Sequence, residues 1–181
     1  AMGAAAALAR RQRRCGRAAG AVMLIVAALL ATSSVAPWWT GESNMTLWDP
    51  SICERLSIGA DGTCSYFQVS RACVLAAALL ALAAAAALLP NCACERPLAH
   101  AAMGLWAACL LCCTAAVGMG TSINGGVLTP DSAAVIGLRS QDGAGWRCLL
   151  AATVGCLAAA GFLPFLAGCV PKLFDSARAP T

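Results

Sequence analysis

The sequence predicts an all-α membrane fold: a four-transmembrane-helix bundle with a small, disulfide-stapled extracellular β-hairpin loop. Three observations predict it. The 181 residues are 60 % hydrophobic and only 11 % charged, whereas about a quarter of an ordinary soluble domain is charged. The apolar residues fall into four separate runs of membrane-spanning length. Five of the twelve basic residues, Arg10, Arg11, Arg13, Arg14 and Arg17, stand just before the first run, the asymmetry that orients a first span. The basic residues are not spread over an amphipathic face, so the cluster reads as a topological signal, and no nucleic-acid partner is expected.

Taken in order, residues 1–17 form a basic cytosolic N-terminus and 18–36 the first span. Residues 37–71 form a long extracellular loop, 72–89 the second span and 90–97 a short cytosolic loop. The third span is 98–119, followed by a second extracellular loop at 120–147, a fourth span at 148–170 and a cytosolic tail at 171–181. At 1.5 Å per residue the first two runs reach about 27–29 Å, close to the hydrocarbon thickness of a bilayer. Apart from thiols, the third run carries only His100 as an ionisable group, and the fourth carries none. Alanine and glycine dominate all four, which lets helix backbones approach closely. Pro164 is expected to kink the fourth.

Orientation follows from the flanks. With the N-terminus inside, the cytosolic segments hold the five early arginines, Arg96, Lys172 and Arg178, against Arg55, Arg71, Arg139 and Arg147 outside. That bias predicts a multi-pass protein with both termini cytosolic, and the plasma membrane is its expected location. A rival reading takes residues 1–36 as a signal peptide cut after Ser34-Val35-Ala36. The apolar stretch is long for a signal core and Pro37 directly follows the cut, so the span is expected to stay.

The first loop opens with Trp38 and Trp39, expected at headgroup level as an aromatic belt. Trp48 lies further out. Cys53 and Cys64 are the only cysteines in the extracellular loops, and Gly59, Asp61 and Gly62 between them can turn the chain. An oxidising compartment pairs such thiols, stabilising the loop by about 3 kcal/mol in the chain-entropy account; two free thiols are the alternative. Met45–Trp48 and Cys64–Val69 read as extended strands of a small hairpin. Asn44-Met45-Thr46 fits an N-glycosylation acceptor on the lumenal side, although close to the membrane edge. The second loop is expected to pack against the first.

On the cytosolic side, Cys92 and Cys94 beside Arg96 suit palmitoylation, with Cys15 and Cys169 as further candidates and plain reduced thiols as the alternative. A metal site from Cys92, Cys94 and His100 lacks ligands and paired spacing. No metal and no cofactor are expected. Cys109, Cys112, Cys113 and Cys156 read as packing residues within the spans.

Catalysis needs converging titratable groups, and the sequence shows no catalytic motif around its only histidine, His100. There is no phosphate-cradling glycine loop, no zinc-protease motif and no serine elbow. The expectation is a non-enzymatic structural or interaction protein. Its surroundings are the lipid bilayer, with a protein partner at the extracellular loops and self-association as further expected contacts. The alternative is a channel or transporter-accessory subunit in which Ser33, Ser34, Thr114 and Thr153 face water.

Thr46-Leu47-Trp48, followed by Cys53, Cys64 and Arg71, resembles the claudin and peripheral-myelin-protein superfamily, whose four-span members carry a W…C…C signature in a long first loop. Met45-Thr46-Leu47-Trp48 resembles more closely the centre of the C-x-T-L-W-G…C signature of amastins, four-span surface glycoproteins of trypanosomatid parasites. Asn44 stands where that signature has its first cysteine and Asp49 where it has glycine. The resemblance implies a surface protein acting at the membrane or the host interface.

Overall fold

A computed structural model describes residues 2–41, 45–49, 63–89, 96–122, 138–140 and 143–162. Four helices dominate it: α1 (Met2–Val35), α2 (Thr63–Leu88), α3 (Arg96–Ser122) and α4 (Ala144–Ala159), the last running into a 3₁₀ turn at Ala160–Phe162. Packing runs from α1 to α2, α2 to α3, α3 to α4 and α4 back to α1, a closed ring of neighbours. Three of the helices are long and apolar enough to cross a membrane, over Arg13–Val35, Cys64–Leu88 and His100–Ser122. The shorter α4 is apolar as well.

Which side chains face inward explains why these runs are alanine-rich. Much of the helix-facing interior is built from small residues: Ala77, Ala81, Ala84 and Ala85 on α2, Cys109, Cys113 and Ala116 on α3, Ala152 and Cys156 on α4. Met23, Leu30, Phe67 and Leu149 fill the remaining interior, while many other large apolar residues point outward, with Leu79 67 %, Leu111 70 % and Val154 64 % exposed. A water-soluble bundle buries its large side chains and surrounds them with charge. The inverted pattern suits a bilayer, where lipid tails cover leucine as well as protein does and small residues let backbones close together. The apolar helices are thus those of a membrane-embedded bundle.

At one end of the bundle a three-stranded antiparallel sheet, ordered β2-β1-β3, joins β1 (Pro37–Gly41), β2 (Met45–Thr46) and β3 (Leu138–Ser140). Pro37 pairs with Thr46 and Thr40 with Ser140. Because β3 belongs to the second loop and β1 to the first, the two loops pack together as their composition suggests.

The predicted hairpin is corrected. Cys64–Val69 is not a strand: it is the first part of α2. Tyr66, Phe67 and Val69 favour strands taken locally, but Phe67, Ser70, Val74, Ala77 and Ala81 are all buried. Their three-to-four-residue spacing extends the inward stripe of the span, and that helical period outweighs the alternation read at short range. The short strand that pairs with Met45–Thr46 comes from Pro37–Gly41.

α4 ends its α-helical hydrogen bonding at Ala160, whose N–H reaches Leu157. This lies four residues before Pro164, where a missing N–H and a ring clash are expected to disturb the helix. Residues 163–170, the rest of the predicted fourth span, lie outside the described residues.

Candidate functional site

The end of α1 dictates the structure above it. In a continuing helix the Ser33 carbonyl would accept from the N–H of residue 37, but Pro37 has none. Trp38 Nε1 fills that place, donating to Ser33 O at 2.8 Å. The indole is thereby drawn inward, and Trp38 and Trp39 are both fully buried. The expected headgroup belt is corrected: these rings form the cap of the core. Trp38 lies 5.5 Å from the ring of Trp146 on α4 and 5.7 Å from Trp39, which lies 5.1 Å from Phe67 on α2. Aromatic pairs at such tilted separations each add about 0.5–1.5 kcal/mol beyond the area they bury.

Glycines admit this layer. A Cβ on Gly143 would collide with the Pro37 carbonyl, and one on Gly145 would sit 2.5 Å from both Ala36 O and Trp38 Cδ1. Their bare backbones let the start of α4 press against β1, where Gly143 N donates to Trp38 O at 3.1 Å.

Beside the aromatic layer stands the Thr46-Leu47-Trp48 segment. A turn closed by Asp49 N donating to Thr46 O at 3.2 Å buries Leu47 and leaves Trp48 42 % exposed. Arg71, in the third turn of α2, grips this turn from below. Its Nε donates to Leu47 O at 2.6 Å and its Nη2 to Asp49 O at 3.3 Å, while Cζ sits 5.6 Å from the centre of the Trp48 ring. One guanidinium thus supplies two charge-assisted hydrogen bonds and a cation–π contact, a combination that its planar fork allows and an ammonium does not. Leu47 packs beneath the loop, and Trp48 is presented outward. In the sequence Arg71 is simply a basic residue at a span edge.

The remaining predicted sites are distributed unevenly. Cys64 is disulfide-bonded, and its partner is outside the described residues. Asn44, Cys53, Cys92, Cys94 and Cys169 also lie outside them. Cys15 is a half-buried free thiol on α1, and His100 is exposed on the first turns of α3. Three hydroxyls expected along a water-facing path close on their own helices: Ser34 Oγ donates to Ala31 O at 2.7 Å, Thr114 Oγ1 to Leu111 O at 2.9 Å and Thr153 Oγ1 to Leu149 O at 2.9 Å. The hydroxyls of Ser33 and Ser70 and the indole nitrogen of Trp39 are buried without a partner.

Deeper in the bundle the structure joins what the sequence keeps apart. Cys109 and Cys113, one turn apart on α3, meet Cys156 on α4, and all three sulfurs lie within 4.8 Å of one another. Cys109 Sγ is 3.7 Å from Cys156 Sγ and 3.4 Å from Ala77 O. Trp106 Nε1 donates to Cys156 O at 2.9 Å, tying α3 to α4 beside the thiols. The Ala160 N–H, which an unbroken α-helix would direct to the same carbonyl, reaches Leu157 O instead. The i, i+4 spacing of Cys109 and Cys113 is the only signal of the cluster that the sequence carries.

No family model, curated protein or solved structure matches this chain. The amastin-like reading therefore rests on the Met45-Thr46-Leu47-Trp48 motif and the four-span layout read from the sequence.

Proposed function

We propose that this chain is a non-enzymatic, amastin-like four-span protein of the plasma membrane. In this reading both termini are cytosolic, and the paired loops form an interaction surface for a protein partner at the membrane or the host interface. The observation that carries it is the turn held by Arg71: Leu47 is anchored in the core and Trp48 is held outward under a guanidinium. An exposed tryptophan on a rigid support matches the residue type that dominates binding hot spots. The same reading pairs Cys64 with Cys53, which would tether the stretch between Trp48 and α2 to the first turn of that helix. Ser34, Thr114 and Thr153 satisfy their hydroxyls on their own helices, so no lining of free hydroxyls speaks for a channel among them.

A photo-crosslinking amino acid at position 48 of the full chain in intact cells tests the proposal. A discrete adduct that is lost on Arg71→Ala, with surface delivery measured in parallel, is the expected result. Absence of any adduct from a fully delivered chain sinks the interaction role, and reproducible single-channel currents from the purified chain would replace it with the channel reading.

A further inference from the structure

We propose that Cys109, Cys113 and Cys156 form a soft-metal site within the bundle, a three-thiol centre that holds one Cu(I) ion.

Geometry makes the first case. With metal–thiolate bonds of about 2.3 Å, three sulfurs around one ion stand about 3.8–4.0 Å apart. The 3.7 Å between Cys109 and Cys156, with all three sulfurs inside 4.8 Å, needs only rotamer-scale adjustment to reach this. All three side chains are fully buried, so the donors are organised by helix packing before any ion arrives.

The donor set selects the ion. Thiolates favour Cu(I), zinc and iron–sulfur clusters over hard cations. Structural zinc is almost always four-coordinate, and among the described residues no fourth cysteine, histidine or carboxylate joins this group. Three soft donors suffice for Cu(I). Each cysteine that ligates as thiolate releases its proton to solvent as the ion binds. The metal arrives and remains as Cu(I), so no electron is transferred.

The surroundings point the same way. An apolar crevice is lined by the thioethers Met23 and Met103 together with Trp106. Trp106 also holds the Cys156 carbonyl, so one residue borders both the crevice and the ligand-bearing turn. Met103, Trp106, Cys109 and Cys113 follow one another up the same side of α3 at helical spacing. Half-buried Cys73 and Cys112 pack against the same core but stand outside the group of three clustered sulfurs.

The test uses the purified full chain in lipid nanodiscs under anaerobic conditions, titrated with Cu(I) held by a chromogenic chelator. The expected result is one Cu(I) withdrawn per chain, with a sulfur-to-copper charge-transfer band and a three-sulfur first shell by X-ray absorption. The double substitution Cys109→Ser with Cys156→Ser weakens retention by at least about 100-fold, whereas Cys73→Ser with Cys112→Ser leaves the sulfur shell intact. A wild-type chain that leaves Cu(I) with the chelator overturns the site, a result that needs no variant to fold. A sulfur shell that survives the double substitution in a helical, monodisperse protein also overturns it. Tight retention of Zn²⁺ with Cu(I) excluded overturns the choice of ion.

Discussion

Arg71 Nε donates to the backbone carbonyl of Leu47 at 2.6 Å, and this contact fastens the first loop to the second helix. The residue that hydropathy places at the edge of a span is the support of the Thr46-Leu47-Trp48 turn. Arg71→Ala should lower stability in detergent by roughly 1–3 kcal/mol, the range for hydrogen bonds to a charged group. Arg71→Lys should recover less than half, since the ammonium loses the fork geometry. Thermal unfolding followed by size-exclusion chromatography measures both, and full rescue by lysine would reduce the contact to simple charge.

Trp38 and Trp39 form a matched pair with opposite polar accounting. Trp38→Phe removes the donor that serves Ser33 O and should cost about 1–2 kcal/mol. Trp39→Phe removes a buried N–H that has no partner among the described residues, so its cost should be limited to the lost ring volume and be smaller than that of Trp38→Phe. Denaturant titration of the two variants in the same micelle decides it, and equal losses would contradict the assigned roles.

Gly145→Ala puts a methyl group where Ala36 O and Trp38 Cδ1 already stand. A loss of roughly 1–3 kcal/mol is expected from overpacking. Gly118→Ala has nothing within 4 Å of the added carbon and should gain slightly from helix propensity. Melting temperatures of the pair measure the difference between an obligatory close approach and a merely tolerated glycine.

If Cys64 is paired with Cys53, then Cys53→Ser should convert Cys64 into a thiol that a membrane-impermeant maleimide labels on intact cells. Mass spectrometry of the labelled peptide reads the outcome. A Cys64 that stays blocked in the variant would assign its disulfide to a different cysteine.

Tags at both termini should bind antibody only after the cells are permeabilised, as the basic residues before the first apolar run and after the fourth predict. Labelling of either end on intact cells would reverse the proposed orientation.

Much of the bundle is legible in the sequence because membrane helices announce themselves locally. Runs such as 98–119 need only a window of neighbouring residues to be recognised, and α3 covers that run. The extended reading of Cys64–Val69 fails because strand propensity is also local, whereas the stripe that includes Phe67 is completed only by Val74, Ala77 and Ala81 further along the helix. Residue type alone puts Trp38 and Trp39 at the headgroups, because nothing near them in sequence shows that Trp146 and Phe67 converge on the same spot.

By itself, then, the sequence determined a membrane-embedded helical chain, its apolar segments and the small residues through which they pack, since hydropathy and side-chain size are summed over contiguous residues. Only the tertiary structure decided that Arg71 grips Leu47, that Pro37 leaves a carbonyl for Trp38, and that Cys109, Cys113 and Cys156 share one position. Each of these relationships is a short-range force between atoms brought within a few ångströms by helix packing or a chain reversal, and no local pattern of residue types encodes that distance.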